Sequence, residues 1–169
     1  MNALKHAASS LAATSLVALA LHLAAPAPAR AQAAGSSGQA DREAVLGVVK
    51  ALFDGMRAHD STAIRGTLHE QARLLTTGTK DGSPVVEVEA IDGFLAAVAG
   101  SGSSLDERIY DPEVRVDAGL ASVWTEYDFY LDGELSHCGV DAFQLGRTAR
   151  GWKILQIVDT RRTEGCPER

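Results

Sequence analysis

Along this chain the apolar positions change their period. Between residues 41 and 100 they recur every three or four positions, and beyond residue 104 they alternate. From Asp41, the residues Val45, Val49, Leu52, Phe53 and Met56 fall on one helical face, with Asp41 as the expected N-cap. That helix should fade at Ala58-His59. Asp60-Ser61-Thr62 then caps a shorter helix with Ile64 and Leu68 inward. Arg73 to Thr77 reads as a strand, Lys80-Asp81-Gly82-Ser83-Pro84 as a turn, and Val85 to Val88 as a short return strand. Ile91, Phe94, Leu95 and Val98 mark a third helix, ended by Gly100-Ser101-Gly102.

The remainder reads as sheet. Arg108 to Val116 is a strand that Asp111-Pro112 should kink or bulge. Leu120 to Leu131, His137 to Arg147 and Trp152 to Arg162 follow, joined by turns at Asp132-Gly133 and Ala149-Arg150-Gly151. Helices followed by an antiparallel meander make an α+β plan, unlike the alternation that builds a parallel sheet.

The first thirty-odd residues have a different character. Lys5 and His6 precede an apolar run from Leu11 to Ala25, and Ala-x-Ala sites follow at Ala27, Ala29 and Ala31. A charged start, an apolar core shorter than the roughly 20 residues of a membrane span, and small-residue exits are the parts of a secretory signal peptide. The alternative is an uncleaved anchor. The expected organisation is a signal peptide over 1–33, a flexible leader over 34–40 carrying Gly35-Ser36-Ser37-Gly38, and one domain over 41–169, secreted or periplasmic. Cleavage leaves 14 basic against 22 acidic residues. With that balance and no basic block, nucleic acid is not an expected partner, and none of the mature chain should span a membrane. Export also changes the meaning of Cys138 and Cys166. In an oxidising compartment such a pair is expected to form a disulfide, the alternative being two buried thiols. No metal or cofactor is implied, since neither a C-x-x-C nor ligand-spaced histidines are present.

Two stretches carry a family likeness: Leu68-His69-Glu70-Gln71-Ala72-Arg73-Leu74 after the second helix, and Phe143-Gln144-Leu145 with Gly151-Trp152-Lys153-Ile154 in the last hairpin. Together with the order of elements, they make residues 41–162 resemble the nuclear transport factor 2-like superfamily. That group includes ketosteroid isomerases, SnoaL-like cyclases and lumazine-binding-like proteins. The resemblance implies a cone, in which three helices close a curved, mainly antiparallel sheet around a small-molecule site. It also implies a possible homodimer. Against the ketosteroid isomerases, Thr76 falls where they carry an aspartate base and Leu52 where they carry an oxyanion tyrosine. Only Asp141 matches, at their second oxyanion donor. Steroid isomerase activity is therefore not expected.

Alternation along the third sheet strand puts His137, Gly139, Asp141, Phe143 and Leu145 on one face. Pairing across the Ala149-Arg150 turn adds Trp152, Ile154, Gln156, Val158, Thr160 and Arg162, and a two-residue turn at Asp132-Gly133 adds Trp124, Glu126 and Tyr130. The expected site is then a catalytic pair, His137 and Asp141, with Trp124, Tyr130, Phe143, Gln156 and Arg162 binding a small hydrophobic molecule. His137 and Asp141 stand roughly 13 Å apart on an ideal strand, so they would act separately rather than as a dyad. A buried Asp141 would hold a proton and His137 would move one. The fold would equally serve a non-catalytic binding or dimerisation module. Both sheet faces are apolar enough to be the inner one, and a single-residue slip exchanges them.

Overall fold

The structure, a computed structural model, describes residues 29–169. The charged start and apolar core of the expected signal peptide lie outside the described residues. Among those that are described, no helix is long and apolar enough to cross a membrane.

Helix α1 spans Ala29–Arg57 and α2 Ser61–Thr67. Strands β1 (Leu68–Lys80) and β2 (Ser83–Glu89) form a hairpin, and α3 covers Ile91–Gly100. The meander follows as β3 (Leu105–Asp117), β4 (Leu120–Leu131), β5 (Glu134–Thr148) and β6 (Gly151–Arg162). They make one six-stranded sheet in the order β2-β1-β6-β5-β4-β3. Only β1 and β6 run parallel; the other neighbours are antiparallel. The α+β plan and the sequence of elements follow the hydrophobic pattern.

Asp60 caps α2 as its residue type demands, accepting the Ala63 N–H at 2.9 Å. Asp41 does not cap. Helix α1 begins before it and runs through residues 34–40, where a leader without structure was expected. Alanine, the strongest helix former, supplies Ala29, Ala31, Ala33 and Ala34, and the Asp41 carboxylate pairs with Arg147 of β5 instead. Val45, Val49, Leu52, Phe53 and Met56 of α1 pack on the sheet's inner face with Leu95 and Val98 of α3, against Val123, Phe143, Leu145, Trp152 and Ile154. Phe53 meets Phe143 edge-on at 6.0 Å between centroids.

Irregularities at three places shape the β3–β6 meander. The expected one lies at Asp111-Pro112, between the pairs Tyr110↔Glu126 and Glu113↔Trp124. The others sit next to the two hairpins. Phe129 pairs with His137 but Tyr130 with Leu135, so Ser136 is an extra residue. Gln144 pairs with Gln156 but Leu145 with Ile154, so Leu155 is extra. Each bulge reverses which side chains of the neighbouring strand share a face with His137, Asp141 and Phe143.

The C-terminal tail folds back over the opposite face. Cys138, buried, is bonded to Cys166 with a Cα–Cα separation of 5.8 Å, inside the range a disulfide requires. Beyond it, the Arg169 guanidinium lies 3.9 Å over the Tyr110 ring and pairs with Glu126. The bond closes a loop of 28 residues, which corresponds to about 3.5 kcal/mol of constraint on the unfolded chain. Urea unfolding of the Cys138→Ser, Cys166→Ser double variant should show a loss of that order. An unchanged midpoint would mean that the bond constrains little.

Candidate functional site

The sheet curves around α1 and α3 and leaves a cavity of about 280 Å³ between them. Its wall is apolar. Leu52, Phe53 and Met56 come from α1, Phe94, Ala97 and Val98 from α3, and Leu74, Leu105, Phe129, Phe143 and Ile157 from the strands. An engineered cavity of about 150 Å³ holds one benzene, so this one suits about two rings.

The ionisable groups of the wall all come from strands. Glu89 lies at the end of β2, Glu107 on β3, Tyr127 on β4, His137 and Asp141 on β5, and Asp159 and Arg161 on β6. Their register explains the grouping: Asp141 pairs with Thr125 and Asp159, and Gly139 with Tyr127 and Arg161. Arg161 Nε donates to Asp159 Oδ2 at 2.6 Å, and the Tyr127 hydroxyl donates to the Thr160 carbonyl at 3.0 Å. The cation of the site is thereby committed to one carboxylate. Glu107 reaches across from two strands away and meets Asp141 closely enough for the two carboxyls to interact through a proton.

Asp141 is 3% exposed, and its Oδ2 is buried without a hydrogen-bond partner. Burial raises its pKa from the ordinary carboxylate value to about 7. Burial, reinforced by the charge of Asp141, holds Glu107 well above the carboxylate range. The two acids titrate as one unit, and burial favours its protonated forms. His137 sits against the Phe129 and Tyr127 rings, at 5.0 and 5.7 Å between centroids, with Ser136 Oγ 3.1 Å from its Nδ1. Burial, and then the Arg161 charge, lower its pKa, so it is neutral at pH 7. The site holds a proton donor at one end and a neutral imidazole at the other. Among the described residues, no group of three or more histidine, cysteine or acidic side chains is arranged to hold a metal ion.

His137, Asp141 and Phe143 line this cavity, and so do Leu52 and Thr76. The other expected binding residues do not. Trp124, 56% exposed, lies on the outer face in a shallow hollow with Glu113, Arg115 and Gln144. Tyr130 carries Arg108 over its ring outside the cavity, and Gln156 and Arg162 alternate outward from Ile157 and Arg161. One cause accounts for all four. The Ser136 and Leu155 bulges shift the parity of β4 and β6 against β5, so Tyr127 and Phe129 replace Trp124 and Tyr130, while Ile157, Asp159 and Arg161 replace Gln156 and Arg162. Glu107 was missed for a simpler reason. The strand was started at Arg108, although Leu105, Glu107 and Ile109 alternate and signal an inward face.

No protein-family model and no curated protein matches the chain. Solved structures do. A nuclear transport factor 2-like protein with a cystatin-like fold from Novosphingobium aromaticivorans superposes with a TM-score of 0.63 at 14% identity, over 80% of this chain and 90% of that one. Another such protein from Cytophaga hutchinsonii gives 0.59 at 16% identity, over 72% and 98%. A third, from Shewanella baltica, gives 0.55 at 16% identity, over 72% and 94%.

Proposed function

For a chain with the nuclear transport factor 2-like fold, we propose an exported protein that holds a small, largely apolar molecule inside its cone. Glu107 and Asp141 address the polar end of that molecule, and His137 stands nearer the mouth. The fold supports a small-molecule-binding or isomerase-type role. The observation that carries this reading is a ring-lined cavity whose buried end holds a carboxyl oxygen with no protein partner. A buried acceptor without a partner is costly, and a ligand donor or a proton offsets that cost. Because the acid pair exchanges a proton near pH 7, the same arrangement fits isomerase, cyclase or hydrolase chemistry on the bound molecule.

The test is a fluorescence or calorimetric screen of one- and two-ring compounds against the disulfide-intact protein and its Asp141→Ala and His137→Ala variants. Asp141→Ala should weaken binding of any hit about 10- to 100-fold, as expected for a hydrogen bond to an ionisable group. His137→Ala should weaken it less, because that ring is stacked near the mouth. Leu52 has no oxyanion-donor chemistry and Thr76 no base chemistry. Steroid isomerisation should therefore be absent. Equal affinity in both variants would favour a second reading, a dimerisation module using the outer face where Trp124 and Leu120 are exposed.

Export is supported by the disulfide and by the charged, then apolar, then Ala-x-Ala start of the chain. N-terminal sequencing of the protein from the cell exterior or periplasm should begin near Gln32 or Ala34. A chain still starting at Met1 would overturn this part.

A further inference from the structure

Resting on the reading of the cone as a ligand site, we propose that its ligand is a cation: a small arylalkyl amine, held with its ammonium between Glu107 and Asp141 and its ring among Phe53, Phe129 and Phe143.

The charges around the cavity are unequal. Four strands bring four acids to it, Glu89, Glu107, Asp141 and Asp159, while β6 brings one guanidinium, Arg161. The helices that close it bring apolar side chains alone, Leu52, Phe53 and Met56 from α1 and Phe94, Ala97 and Val98 from α3. Arg161 is taken up by Asp159 at 2.6 Å. No described lysine or arginine forms a salt bridge with Glu107 or Asp141. Protein interiors neutralise buried acids with cations or with protons, and here a cation that replaces the proton has to come from outside.

The imbalance alone would select charge and not a place. The place is given by Asp141, a cavity-lining residue 97% removed from solvent, whose Oδ2 is buried without a hydrogen-bond partner. An ammonium group has three N–H donors and no acceptor, which suits two carboxyls that lack donors. A carboxylate ligand would be repelled, and an alcohol would supply one donor without relieving the charge. The aromatic rings favour the same ligand, because their faces attract a cation as well as an apolar ring. An ammonium favours the ionised form of both acids. Binding of the protonated amine therefore releases protons from the pair to solvent, whereas a neutral alcohol releases none.

The experiment is isothermal titration of the disulfide-intact protein with 2-phenylethylamine, 2-phenylethanol and phenylacetate, and with the matched naphthyl compounds. Each titration is run at pH 7 in two buffers of different ionisation enthalpy. The amine should bind at least about tenfold more tightly than the alcohol of the same skeleton, with a net release of protons. Asp141→Asn and Glu107→Gln, each checked for a cooperative melt, should bring the amine to the level of the alcohol. If the alcohol or the carboxylate binds as tightly as the amine, the cation inference is overturned while the ligand-binding reading stands. If no compound of any charge binds at millimolar concentration, both fall.

Discussion

Replacing Gly139 by alanine should cost more stability than any other single methyl group added to this sheet. A Cβ built at Gly139 overlaps the carbonyl oxygen of Thr160 and stands 2.7 Å from Cε1 of Tyr127. The first is backbone of the paired strand β6 and cannot swing away. The second belongs to a buried ring whose hydroxyl is tied to the same Thr160 carbonyl. Relief requires either parting β5 from β6 or expelling Tyr127, so the expected loss is on the order of 4 kcal/mol, at the high end for point substitutions. Tyr127→Ala in the Gly139→Ala background separates the two causes. Partial recovery assigns the cost to the ring, and none assigns it to the strand pair. A Gly139→Ala protein that melts like the parent would show that β5 and β6 can separate here at little cost.

The second large effect is a dependence of stability on pH opposite to that of most proteins. The Asp141 pKa rises from 3.8 to about 7 on folding, chiefly through burial. Its contribution is fully present below about pH 4 and is lost as the pH rises through 7. The whole interval corresponds to about 4 kcal/mol, of which about 2–3 kcal/mol falls between pH 5 and 8. Glu107, raised by the same burial, acts in the same direction. His137 opposes them: its pKa is lowered on folding, so its contribution is present above about 6.5 and is lost as the pH falls. The wild-type protein should therefore melt higher at pH 5 than at pH 8. Asp141→Asn should flatten that slope and be the more stable of the two at pH 8. Parallel pH profiles for the two proteins would contradict the burial of an ionisable Asp141.

Both effects arise where the chain was hardest to read. Helix α2 was legible because Asp60 announces its start and Ile64 its inner face. The hairpins were legible because Asp132-Gly133 and Gly151 adopt the positive φ that tight turns use. The inward set of β5 was also legible, since alternation within one strand depends only on that strand. Relations between strands were not. Ser136 and Leu155 look like ordinary strand residues, yet each adds one position to its hairpin and turns the neighbouring strand over. Tyr127, Asp159 and Arg161 therefore entered the cavity in place of residues adjacent to them in sequence. The meeting of Glu107 with Asp141 lies further from local pattern still. It depends on curvature across three strands, which no period in the sequence encodes.

The single parallel pairing in the sheet bears on how the molecule is assembled in time. Strand β1 emerges early in synthesis, but one long edge of it has no neighbour until β6, the last strand, has been made. Thr77 Oγ1 donates to the Asp159 carbonyl at 3.1 Å across 82 positions of chain. Loop closure over such a distance precedes any reward from the contact, so the final docking of β1 is a late, slow event. Until then Asp159 and Arg161 lack their wall and the cone has a gap. A chain interrupted before Gly151 retains the β1–β2 and β3–β4–β5 sets as separate ribbons with raw edges. The cavity thus comes into being only when β6 locks β1 in place.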